Sequence, residues 1–263
     1  MRTLCIVSLI VTLYLGGCSL VGQNALDPID WTDKEVERHA ASGRGFMAQL
    51  RKDPLIVGPY TAAFEARSPW NNLPVQTSTD VQVGLGAEGG RQASAGTTSL
   101  RNEAEMKIRL YGPVGELASI QCRQVLNVEN WEARVTNKRG ENDMSVTENI
   151  AYDASLNCRS RKLGPAWPQW QLDMHATGKK PLRGILRIDG HDFEVSGSQA
   201  STVGVMPDTV SYEVRQNSQV LALIDRSSEG QLSIAVPISE NLRTSLFGAA
   251  AVLLLAHDPL NPQ

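Results

Sequence analysis

The last long apolar run of the chain, Thr244 to Ala256, reads T-S-L-F-G-A-A-A-V-L-L-L-A. Wound as a helix, it has no polar face after Ser245. Phe247, Ala249, Ala250, Ala251, Val252, Leu253, Leu254 and Leu255 cover the whole cylinder. A helix that is apolar all round lies inside protein or inside lipid. A bilayer span takes about 20 apolar residues, and runs of roughly 10–14 are more often core helices. Arg243 on one side and His257-Asp258-Pro259 on the other prevent this run from being lengthened. The expectation is a helix enclosed by the rest of its domain, capped at its start by Ser239 or Asn241 and ended by Pro259.

The enclosure has to come from what precedes the helix, and that region has a β texture. Lys107 to Tyr111 alternates and Gly112-Pro113 ends it. Ala118 to Val128, Trp131 to Val135, Val146 to Cys158 and Trp170 to Ala176 read as strands. Leu182 to Ile188 and Phe193 to Val195 flank Asp189-Gly190, a strong hairpin signal. Val210 to Arg215, Val220 to Ile224 and Leu232 to Val236 follow, joined by polar turns. The expected class is mainly β: an antiparallel barrel or sandwich around a buried C-terminal helix, with a small irregular or helical N-terminal segment. Thr32-Asp33-Lys34-Glu35 matches a capping box, which predicts a short helix from Asp33 to about Ala41.

The expected division has four parts. Residues 1–17 form a leader, and 18–75 a tether with the short helix. Residues 76–102 form a flexible Gly/Ser-rich linker or loop, and 103–263 the β domain. Within the linker, Gly84-x-Gly86-x-x-Gly89 formally matches a dinucleotide fingerprint. That chemistry needs a helix directly after the glycines, and R-Q-A-S-A-G-T-T-S has no amphipathic stripe. It is read as a loop, and no cofactor is expected.

The leader carries an address. Arg2 is a short positive start, and Leu4 to Leu15 an apolar stretch of signal-peptide length. It ends in Leu15-Gly16-Gly17-Cys18, which resembles the bacterial lipobox. The resemblance implies cleavage before Cys18 and acylation of its thiol. Two or more acyl chains anchor stably where one is marginal. The implied location is the cell envelope, and Ser19 after the cysteine suggests the outer membrane facing the periplasm. Loss of Cys5 with the leader and lipidation of Cys18 leave Cys122 and Cys158. An even pair in an oxidising compartment predicts a disulfide; the alternative is two separate buried thiols. Loss of Arg2 takes the formal net charge from −3 to −4. That balance argues against general nucleic-acid binding, which needs a basic field.

The pieces from Phe193 to Asp258 come in a distinctive order: F-E-V-S-G, V-S-Y-E-V, V-L-A-L-I-D, L-S-I-A-V, then S-L-F-G-A-A-A-V-L-L-L-A-H-D. They resemble the C-terminal half of tubby-like domains, the LURP-one-related and phospholipid-scramblase group. The resemblance implies a β-barrel of about a dozen strands around one hydrophobic C-terminal helix, and it brings no catalytic motif. The β region is short for twelve full strands, which predicts an open or reduced barrel. Arg183, Arg187, Arg215 and Arg226 could form a basic strip, but charges at strand edges are more often plain solvated positions.

No catalytic or metal-ligating set emerges. Gly-x-Ser-x-Gly and His-Glu-x-x-His are both absent from the sequence. Glu35 and His39 lack further ligands at metal spacing. His175, His191 and His257 read as exposed or structural, and Trp167 and Trp170 as core. The function expected is a lipid-anchored, non-enzymatic binding or scaffolding module for a lipid or an envelope protein. The alternatives are an envelope hydrolase whose site is assembled from distant residues, and a structural subunit of an envelope complex.

Overall fold

A computed structural model of the chain describes residues 35–43, 53–67, 71–75, 81–85, 91–136, 142–162, 167–178, 180–199, 210–227 and 230–256. They form fourteen antiparallel strands and one helix: β1 (Glu35–Ser42), β2 (Leu55–Val57), β3 (Tyr60–Arg67), β4 (Asn71–Val75), β5 (Val81–Leu85), β6 (Arg91–Gly112), β7 (Gly115–Thr136), β8 (Asn142–Lys162), β9 (Trp170–Thr177), β10 (Arg183–Ile188), β11 (His191–Gln199), β12 (Val210–Gln216), β13 (Gln219–Asp225), β14 (Gln231–Val236) and α1 (Glu240–Leu255). The strands from β6 to β14 follow one another as neighbours. β1 lies against β14, β2 against β1, and β3 against both β2 and β6, which closes a barrel of twelve strands. β4 and β5 pair with β6 outside that circuit.

The barrel is therefore closed, not open or reduced, because β1, β2 and β3 complete the circuit. They come from the segment expected to be a tether with a short helix. Residues 35–42 form a strand in register with β14, Glu35 opposite Val236 and Ala40 opposite Gln231. Its local sequence suits a helix start. Pairing with β14 and the inward turn of Glu37 and His39 onto α1 override that propensity. Within the expected linker, Val81–Leu85 and the first residues of β6 are likewise strand. Gly84 lies in β5 opposite Gln92; Gly86 and Gly89 lie outside the described residues.

The helix fills the barrel. Every residue from Thr244 to Leu255 is buried, with Leu253 1%, Leu254 2% and Leu255 6% exposed. Successive residues point about 100° apart on a helix, so three consecutive buried leucines require protein on every side. Ser239 caps the start, its side-chain oxygen accepting from Leu242 N at 3.3 Å. At the other end the buried Arg226 donates to the Ala256 carbonyl at 2.9 Å. A guanidinium there satisfies an orphan acceptor and complements the negative end of the helix dipole. Gly248 lets the helix approach the wall. A Cβ on it would lie 2.9 Å from the Trp170 ring, and Trp170 is 2% exposed.

The wall follows the period of two. Met106, Ile108 and Leu110 of β6, Ile120 and Cys122 of β7, Leu156 and Cys158 of β8, and Leu172 and Met174 of β9 face the helix. Cys122 and Cys158 are direct cross-strand partners, their Cα atoms 4.1 Å apart, and they form a disulfide. Asp189-Gly190 makes the β10–β11 hairpin, with φ of 48° and 83° at the two residues. Positive φ at both positions is what that turn requires.

Three strands outrun the barrel. β6 pairs along its length with β5, then β4, then β3. β9 covers β8 only from Asp153 to Arg159. The first half of β6, the second half of β7 and the first half of β8 therefore leave the barrel as a wing. Ten residues of strand extend it by about 34 Å.

Candidate binding groove

The helix occupies the interior of the barrel, and the concavities open on its outer face. Beside Leu255 and Ala256, bounded by Ala104, Met106, Cys122 and Gln124, the gap between helix and wall is about 10 Å³. That is about one water at most. On the outside, β6 to β9 enclose a concavity of about 630 Å³, within the range of small-ligand sites. Glu105, Lys107, Gln121, Arg123, Asn157, Arg159 and Asp173 line it. A second hollow of about 270 Å³, over Gln169, Gln171, Arg187 and Gly190, meets the first at Arg159.

Register places these side chains. One cross-strand row runs Glu105, Arg123, Asn157, Asp173. The next runs Lys107, Gln121, Arg159, Gln171, Arg187. Neighbouring strands lie about 4.8 Å apart, so Lys107, Arg159 and Arg187 recur at about 10 Å with a carboxamide in each gap. All are outward positions, alternating with the core residues of the same strands.

Most of the groove's charges are already partnered. Arg123 is 2.8 Å from the Glu103 carboxylate, which also holds Arg101 at 2.6 Å. Hydrogen bonds from Arg123 and then Arg101 hold the Glu103 carboxyl below its usual range, and the Glu103 bond raises the Arg123 guanidinium in turn. Arg187 lies 2.8 Å from Asp192 and 3.6 Å from Asp173, and Asp173 also accepts from Gln171 Nε2 at 2.6 Å. Arg159 is exposed at the junction of the two hollows. Among the described residues no carboxylate lies within ion-pair distance of it.

A second cluster stands where α1 enters the barrel. Glu37 pairs with Arg243 and lies 3.3 Å from His39 Nε2, while His39 meets the Phe247 ring edge-on at 4.9 Å. Tyr60 packs on Phe247 at 4.5 Å; burial, then the Glu240 charge, pushes its phenol up. These contacts tie β1 and β3 to α1 and offer no nucleophile. Glu35 and His39 stand at a strand spacing on β1, and Glu37 is the carboxylate His39 meets.

The remaining sequence candidates disperse. Arg183, Arg187, Arg215 and Arg226 do not form one strip: Arg226 caps α1, Arg215 binds Glu213 at 2.6 Å, and Arg187 faces the groove. His175 and His191 are exposed, and Trp167 and Trp170 are core. Cys18 and His257 lie outside the described residues. Among the described residues, no group of three or more His, Cys, Asp or Glu is placed to hold a metal ion, and no helix is long and apolar enough to cross a membrane. The groove itself escaped sequence reading, because its residues come from four strands and only register aligns them.

No family model, no curated protein and no solved structure matches this chain.

Proposed function

We propose that this protein is a lipid-anchored envelope lipoprotein whose plugged barrel works as a non-enzymatic binding or scaffolding module, using its outer face. The observation that carries the reading is the filled interior. A barrel whose lumen holds its own helix leaves its outer wall and its wing to meet a partner, and the groove at β6–β9 is a concavity on that wall. The Leu15-Gly16-Gly17-Cys18 sequence supports the anchor, and the Cys122–Cys158 bridge suits an oxidising compartment. A twelve-strand barrel around one apolar helix is also what the tubby-like resemblance implies, and we include kinship with that group in the proposal.

The geometry suits a scaffold. The chain enters β1 at the end of the barrel where α1 begins, Glu35 lying opposite Val236. The wing leaves from the other end, where Leu255 meets Ala104 and Gln124. A molecule held through Cys18 would carry its wing away from its point of attachment. Cys18→Ser tests the anchor: the variant is expected to lose palmitate labelling and to leave the membrane fraction, or to persist as an uncleaved precursor. Normal processing and fractionation would overturn it. Turnover of ester, glycoside or phosphate substrates that is lost on substituting groove residues would overturn the non-enzymatic reading.

A further inference from the structure

The two hollows on the outer face join into one trough, and its chemistry is specific. Its floor is the backbone of β6 to β10, and its polar groups project from alternate residues of that floor. Two carboxamides, Gln121 and Gln171, flank Arg159 across the strands, and a third, Asn157, stands two residues before it on β8. Carboxamides donate and accept at once, so they suit hydroxyl groups. The guanidinium presents a planar fork of donors matched to carboxylate or phosphate. Arg123 and Arg187 on either side are held by Glu103 and by Asp192, whereas among the described residues no carboxylate lies within ion-pair distance of Arg159. Glu105 and Asp173 share the same wall. They would repel a densely charged polyanion but accept hydrogen bonds from hydroxyls. Lys107 lies two strands from Arg159 in the same row, about 10 Å away, so an anionic group at Arg159 does not also meet it. The trough therefore fits a ligand with many hydroxyls and an anionic group at Arg159.

We propose that the trough is a saccharide-binding site in which Arg159 takes a single anionic group while Gln121, Asn157 and Gln171 take the hydroxyls around it. The anionic group is a carboxylate, as in a uronic acid, or a phosphate ester. This rests on the binding-module reading and gives it a ligand class.

Calorimetry on the full-length protein in detergent tests it. The probes are a disaccharide of glucuronate and N-acetylglucosamine, glucose 1-phosphate, and neutral chitobiose. At least one anionic probe is expected to bind, with chitobiose much weaker; which of the two binds separates carboxylate from phosphate. Arg159→Met should weaken binding about tenfold or more, the loss expected for a charge-assisted pair. Gln171→Ala should weaken it severalfold, and Arg183→Gln, outside the trough, should leave it unchanged. Equal binding of chitobiose, an unaffected Arg159→Met, or no binding of either anion at millimolar concentration would overturn the proposal. Those outcomes leave the binding-module reading standing. That reading falls separately, if photo-crosslinkers placed on the outer wall and the wing of the anchored protein capture nothing in intact cells.

Discussion

β6, β7 and β8 each run from one environment into another, so the same strands can be compared with and without a packing partner. In the barrel their alternate residues, Met106, Ile108, Ile120, Leu156 and Cys158, close on α1 and are nearly inaccessible. In the wing the backbone pairing continues, with Thr97 opposite Trp131 and, past a register shift between Glu129 and Asn130, Trp131 opposite Glu148. Yet Ala95, Gly96, Thr97, Ser99, Trp131, Glu132 and Ala133 are only partly buried, and Val146 is 50% exposed. Hydrogen bonding is shared by both halves, so what distinguishes them is apolar burial. The net worth of a backbone hydrogen bond is about 1 kcal/mol, whereas burying one Leu or Ile contributes about 1.5–3 kcal/mol. Stability should therefore be concentrated in the barrel.

The largest effect expected is at the plug. Deleting residues 244–263 removes the core that all twelve strands share, and no cooperative unfolding transition should remain by circular dichroism. A truncated chain that still melts cooperatively would dissolve the contrast. Next, Leu253→Ala, Leu254→Ala and Leu255→Ala should each cost about 2–5 kcal/mol in urea denaturation. If one of the three were silent, that side of the helix would not be enclosed. The Cys122–Cys158 bridge ties the barrel halves of β7 and β8. Replacing both cysteines by serine should cost about 3–4 kcal/mol for a loop of this length, and unreduced protein should show no alkylatable thiol at these positions.

Smaller effects sharpen the comparison from the wing side. Amide exchange should be faster at 91–100, 131–136 and 142–149 than at 104–111, 118–126 and 153–160 of the same strands. Equal protection would mean that something covers the wing. Thr97→Ala should change stability by less than about 0.5 kcal/mol. The weakest effect is at the surface pair Arg123–Glu103. The Glu103 carboxyl is depressed in the folded state, so its contribution is present above the unfolded carboxylate range and fades as pH falls through the folded value. The small stability gap between wild type and Glu103→Gln should therefore close on acidification, and a gap that widened would show the pairing to be wrong.

The same contrast explains what could be read from the sequence. The helix was legible because an all-round apolar run has few places to go. The strands from Arg183 to Val236 were legible because Asp189-Gly190 and Asn217-Ser218 mark tight turns between half-buried runs. The wing was not: its described side chains are at most partly buried, so the sequence there has little apolar alternation, and A-S-A-G-T-T-S resembles a linker. β1 was missed because its inward residues are Glu37 and His39, polar groups satisfied by Arg243 and by the Phe247 ring only in the finished fold. The groove was missed for a related reason. Lys107, Gln121, Arg159, Gln171 and Arg187 are unremarkable in sequence and become a row only when five strands are in register.

The place of α1 in the chain sets the order of events. The innermost element follows all fourteen strands in the chain. β1 must pair with β14, more than 190 positions later, and neither that seam nor the core it encloses can form until the C-terminal segment is present. Contacts of such long range slow folding and make it late. A chain still emerging, from a ribosome or through a membrane, holds strands with nothing to wrap. Completion of the barrel thus reports that synthesis has passed α1, and a product cut short before Thr244 is left without the segment that fills its core.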